Sequence, residues 1–186
     1  MKLFTATIFI AAIEFSLHNV DSSSLFDSNG RLYQVEYAAR SPSLGGPVIA
    51  ANIGSTIVII SCSSSSDDYT KPFVSKCMKI DKCICVAGAG IAADYSYISS
   101  KLFDSISESY YSFGTTIPVS RLAQQAAEIM HEHTLSNSLR PIGLKLLIAG
   151  YGANGEGGLF VVDPFGSVSK RKFVHLGEQR HHRHDY

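Results

Sequence analysis

No pair among Cys62, Cys77, Cys83 and Cys85 has C-x-x-C spacing, so the zinc-knuckle and thioredoxin-type patterns are missing. Lysine plus arginine number 16 and aspartate plus glutamate 16, so the chain has no basic excess of the kind a general nucleic-acid binder carries. There is no Gly-Lys-Ser/Thr phosphate loop and no nucleophile elbow around a serine. Gly88-x-Gly90 follows an apolar run, but the third position of a dinucleotide fingerprint falls on Ala93, and no acidic residue ends a following parallel strand. His131 and His133 stand two apart, whereas a helical zinc pair needs four-residue spacing; they read as one surface and one half-buried histidine. No cofactor and no metal site is expected. His181, His182 and His184 lie in a terminal run that fits neither structural period.

Long apolar runs are also scarce. Residues 3–13, "LFTATIFIAAI", follow Lys2 and precede polar residues, with Val20-Asp21-Ser22 as a small-residue cleavage site. The pattern reads either as a secretory leader or as an ordinary apolar segment from a misassigned start, and it is too short to span a bilayer. No other stretch is apolar enough for a membrane helix.

What remains is a globular composition, 45% hydrophobic and 17% charged. Residues 47–61 read as two Val/Ile-rich strands meeting at Asn52-Ile53-Gly54-Ser55, and a serine-rich surface loop follows at 62–72. Within that loop Ser64 and Ser65 each have an acid three residues on, a weak phosphorylation pattern. Residues 77–88 give a further strand pair, in which Cys83 and Cys85 would share one face as buried thiols. Ile91, Tyr95, Ile98, Leu102, Ile106 and Phe113 then mark one face of a long helix ended by Gly114. Leu122, Ala126, Ile129 or Met130, and His133 mark a second. Strands are expected again at 143–152, 157–163 and 167–174. Strands, two helices, then strands favours α+β layers with antiparallel sheets over a βαβ repeat. Residues 180–186 read as a tail.

The stretch "SLFDSNGRLYQVEYA" resembles the signature that opens the alpha-type subunits of the 20S proteasome, with Phe26, Gly30, Arg31, Leu32, Gln34, Val35, Glu36, Tyr37 and Ala38 matching. Asp27-Ser28 replace the family's Ser-Pro, and Asn19-Val20-Asp21 replace its Tyr-Asp-Arg. "MKIDKCICVAGAGIAAD" (78–94), "RPIGLKLLIAGY" (140–151) and "GGLFVVDPFGSV" (157–168) resemble three later family blocks, in order and at family spacing.

The resemblance covers residues 25–178, leaving 1–24 as a leader-like segment and 179–186 as the tail. It implies a four-layer αββα sandwich of antiparallel sheets, the N-terminal-nucleophile hydrolase fold. Typical members continue through a further helical layer and closing strands, so the sandwich is expected to be incomplete. Catalytic beta-type relatives use an N-terminal threonine with an aspartate and a lysine. Alignment puts Gly46 at the threonine, Cys62 at the aspartate and Lys76 at or near the lysine, which implies no catalytic residue and no enzymatic activity of its own.

The implied role is a ring subunit in ubiquitin-dependent protein degradation. Its implied partners are the other alpha-type subunits of a heptameric ring, the beta-type subunits, and the C-terminal tails of regulatory particles or activators. Lys76, Gly45 and Glu36 are the implied tail-binding residues; Gly30, Arg31, Gln34 and Tyr37 belong to the gate and ring helix. The implied location is cytoplasm and nucleus, with the leader-like segment keeping a secretory or organellar route open. Two alternatives stand beside this reading: an active hydrolase of the same fold, and a targeted binding protein that reuses it.

Overall fold

The structure, a computed structural model, describes residues 26–62, 76–136, 138–152 and 157–178. The leader-like segment, Ser64 and Ser65, and the histidine tail lie outside the described residues.

A helix, α1 (Tyr33–Leu44), leads into two hairpins, β1 (Val48–Ile53) with β2 (Thr56–Ser61) and β3 (Cys77–Asp81) with β4 (Ile84–Gly90). Two helices follow, α2 (Ala92–Phe113) and α3 (Val119–Leu135), and then β5 (Leu144–Tyr151), β6 (Gly157–Val162), β7 (Val168–Lys170) and β8 (Phe173–Leu176). The strands form two antiparallel sheets, of order β2-β1-β8 and β3-β4-β5-β6-β7. Among the described residues no helix is long and apolar enough to cross a membrane.

Two cores follow from the period of the central strand. Leu144, Leu146 and Ile148 of β5 face the helices and pack with Ile98, Leu102, Leu122 and Met130. The alternate residues Leu147 and Ala149 face the other sheet and pack with Val48, Ala50, Leu159 and Val174. Both faces of β5 are therefore buried, which is why its sequence reads as one apolar run instead of an alternation. Truncating Leu146 or Ile148 to alanine would cost about 2–5 kcal/mol. The order is helices, sheet, sheet, which gives three layers of the expected sandwich among the described residues. The outer face of the three-stranded sheet exposes Ile49, Ile53, Val58, Ile60 and Phe173.

Two expectations change. The strand expected at 167–174 is two strands. The Arg171 N–H donates to the Leu159 carbonyl of β6 at 2.8 Å, while the Lys172 carbonyl accepts from Asn52 of β1 at 2.8 Å. The chain passes from one sheet to the other at that point, as strands do at sandwich corners. The long helix also outruns its support: Ile98, Leu102 and Ile106 are buried, but Phe113 is 78% and Tyr111 94% exposed. Gly114 ends the helix in the left-handed region (φ 67°), its N–H bonded to the Tyr110 carbonyl at 2.9 Å. In α3 the core position is Met130, with Ile129 at its margin.

Candidate functional site

The head of β1, the tail of β2 and the head of β3 meet at one end of the sandwich. Lys76, just ahead of β3, donates from Nζ to the Cys62 carbonyl at 2.9 Å, and the Cys62 N–H donates to the Pro47 carbonyl at 3.1 Å. A Cβ placed on Gly46 would overlap the Lys76 Nζ and lie 3.1 Å from the Cys62 carbonyl oxygen. Gly46, Cys62 and Lys76 thus come together as the alignment implied. Cys62 contributes its backbone carbonyl, and the ammonium fills the space a nucleophile's side chain would need. A crevice of about 70 Å³ opens here, lined by Gly46, Lys76, Gly88, Ala89 and Tyr95 among others. Among the described residues no carboxylate lies within ion-pair distance of Lys76.

Gly45 lies next to this crevice but plays another part. Its Cβ would stand 2.5 Å from the Gly90 amide nitrogen and 3.1 Å from the Ala89 carbonyl carbon. The missing side chain lets the end of β4 press against the turn between α1 and β1. The space a Gly45 side chain would take is filled by the protein's own backbone.

The helix signature is organised by its own charges. Gly30 N–H donates to the Asp27 carbonyl at 2.8 Å, and Asp27 N–H to the Arg31 carbonyl at 2.9 Å, closing the turn ahead of α1. Arg31 grips Glu36 with two nitrogens, at 2.9 and 2.5 Å, and lies over the Tyr33 ring at 5.3 Å. Tyr33 stacks on Tyr37 at 6.2 Å and donates its hydroxyl to Asp27 at 3.1 Å. The Arg31 hydrogen bond holds the Glu36 carboxyl below its ordinary pKa, and the Ser28 N–H does the same for Asp27. Glu36 does not line the Lys76 crevice; its carboxylate is engaged by Arg31. Gln34 is half-buried and Tyr37 exposed on the same helix.

A clamp not singled out by sequence reasoning joins two of the family-like blocks. Asp94, in the first turn of α2, accepts from Arg140 Nη1 at 2.8 Å, from Arg140 Nη2 at 2.5 Å, and from the Gly143 N–H at 2.9 Å. The carboxylate raises the Arg140 pKa above its usual value. The only trace in the sequence is the recurrence of both residues inside the quoted blocks. Tyr95 donates to the Val86 carbonyl at 3.0 Å, and burial pushes its pKa up. His131 and His133 each meet a backbone carbonyl, of Phe165 at 3.2 Å and of Arg140 at 3.1 Å. Cys83 lies exposed in the β3–β4 turn, and Cys85 is half-buried. The expected shared strand face fails because β4 begins at Ile84. Among the described residues no cluster of side chains could hold a metal ion.

The family model described as "Proteasome subunit" matches residues 43–183. "Proteasome subunit alpha 2" of Haloferax volcanii is 31% identical over 159 residues, 85% of this chain and 64% of that protein. "Proteasome subunit alpha type-2" of Dictyostelium discoideum is 30% identical over 157 residues, 84% of this chain and 67% of that protein. "Proteasome subunit alpha" of Methanoculleus marisnigri is 30% identical over 158 residues, 84% and 65% respectively. The match thus spans about two thirds of the length of these relatives. With the strand order, the block spacing and the Gly46–Lys76 geometry, these similarities place the chain: it belongs to the proteasome subunit family, and the relatives it resembles are alpha-type members.

Proposed function

We propose that the chain is a non-catalytic member of an alpha-type proteasome ring, serving ring assembly, gating and activator docking in ubiquitin-dependent protein degradation. The observation that carries the non-catalytic part is the Lys76 ammonium occupying the side-chain space of Gly46. An acyl-transfer nucleophile needs a hydroxyl or thiol with a base in reach. Here the base-like amine has the place and the nucleophile has no atoms.

Its partners in this reading are the neighbouring alpha-type subunits of a heptameric ring, the beta-type subunits that hold the chemistry, and the tails of activators. The exposed apolar end of α2, Tyr110, Tyr111 and Phe113, is surface of the kind a neighbouring subunit covers. Lys76 serves as the anchor for a terminal carboxylate. It is half-buried in a crevice and bonded to a neutral carbonyl, so its charge is uncompensated by any carboxylate among the described residues. The reading places the protein in cytoplasm and nucleus.

The test is exposure of the purified chain to a threonine-directed epoxyketone probe and to fluorogenic peptides. No labelling and no turnover are expected. Covalent labelling of this chain would overturn the reading.

A further inference from the structure

Cys77 opens β3, and Cys85 is the second residue of β4. The register pairs Cys77 with Ala87 and Lys79 with Cys85, which sets the two thiols one diagonal step apart on the same face of the sheet. Their sulfurs are 3.1 Å apart, about 1 Å more than a disulfide bond. Cys62 and Cys83 are exposed thiols, and no sulfur–sulfur contact joins either to another among the described residues. An open cleft of about 330 Å³ between the sheets reaches Cys83 and Cys85, walled by Ile57, Ile59 and Ile84 and rimmed by Lys79 and Lys82.

We propose that Cys77 and Cys85 are a peroxide-reactive dithiol site, oxidised to an intrachain disulfide that staples the edge strand β3 to β4. Cys77 is the attacking thiol. The Cys85 thiol donates to it, lowering its pKa to about 7, and the same bond pushes Cys85 up. The Cys77 thiolate attacks one oxygen of hydrogen peroxide. The O–O bond breaks, giving a sulfenic acid on Cys77 and hydroxide. Hydroxide takes the Cys85 proton as water. The Cys85 thiolate then attacks the Cys77 sulfur, the S–S bond forms, and a second hydroxide leaves. Two thiol sulfurs are oxidised and one peroxide is reduced. The staple fixes the start of the strand that Lys76 immediately precedes.

The experiment is titration of the reduced full chain with hydrogen peroxide, followed by non-reducing peptide mapping. A Cys77–Cys85 linked peptide, reversed by dithiothreitol, is expected. Cys85→Ser should leave a Cys77 sulfenic acid that dimedone captures. Cys77→Ser should slow the first thiol loss about tenfold, since it removes the attacking thiolate. Oxidation falling first on Cys62 or Cys83, or Cys77 and Cys85 oxidised without a link between them, would overturn the proposal.

Discussion

The Lys76 ammonium stands where Gly46 would carry its Cβ, held there by the Cys62 carbonyl. Two neighbouring glycines thereby acquire different meanings. The obstacle at Gly46 is the far end of a flexible side chain, whereas at Gly45 it is the backbone of Gly90.

Gly45→Ala is therefore expected to cost about 1–3 kcal/mol, the usual cost of overpacking against atoms that cannot move. Gly46→Ala should cost clearly less, with the lysine swinging out of its bond to Cys62. Urea unfolding of the two variants measures both. Equal losses, or a larger loss at Gly46, would contradict the geometry.

Asp94 and Arg140 form the second test. The Asp94 side chain is 8% exposed and that of Arg140 59%. Asp94→Ala strands the Gly143 N–H, and Arg140→Ala leaves a carboxylate with too few partners. Each is expected to cost about 1.5–3 kcal/mol, the range for hydrogen bonds to charged groups. The double variant should lose less than the sum by at least about 0.5 kcal/mol. Strict additivity in a double-mutant cycle would show that the clamp does not act as a unit.

Much of the fold was legible because periodicity is local. The Val/Ile runs of β1 and β2 mark strands, though the outer face of their sheet stays exposed, and the helical spacing from Tyr95 to Ile106 reports a buried face directly. The crossing at Arg171-Lys172 was not legible, since no glycine or proline marks where a strand changes sheets. Phe113 fits the helical period but lies beyond the supporting sheet, and period carries no information about where support ends. At the site, Gly46, Cys62 and Lys76 could be paired through the family-like spacing. The Gly45–Gly90 approach could not, because it depends on how the turn after α1 meets the end of β4, and the Arg31 grip on Glu36 could not, because it depends on the turn that closes ahead of α1. The Cys77–Cys85 contact depends on a register that shifts between Lys79 and Asp81.

Acid should loosen the entry to α1. Glu36 and Asp27 have folded pKa values below their ordinary ones, so each stabilises the folded state above the ordinary carboxylate range. That contribution is lost as pH falls through the depressed values. Hydrogen exchange at the amides of residues 30–36 should show constant protection from neutral pH to the ordinary carboxylate range and decreasing protection below it. Glu36→Gln should flatten much of that dependence. A profile the same in the variant would remove the Arg31–Glu36 pair from the account.

Lys76→Ala should weaken docking of an activator tail by about 2 kcal/mol, the low end for losing one partner of a charge pair, since Lys76 is only half-buried. That is about thirtyfold in affinity. The comparison is made on particles in which incorporation of the variant has been verified. Unchanged affinity would rule out Lys76 as the anchor.

The central claim is membership of a ring. Native mass spectrometry of the full chain co-produced with alpha-type proteasome subunits tests it most directly. The account predicts ring-sized assemblies whose mass includes this chain. Rings formed wholly by the other subunits, with this chain recovered as free monomer, would contradict it.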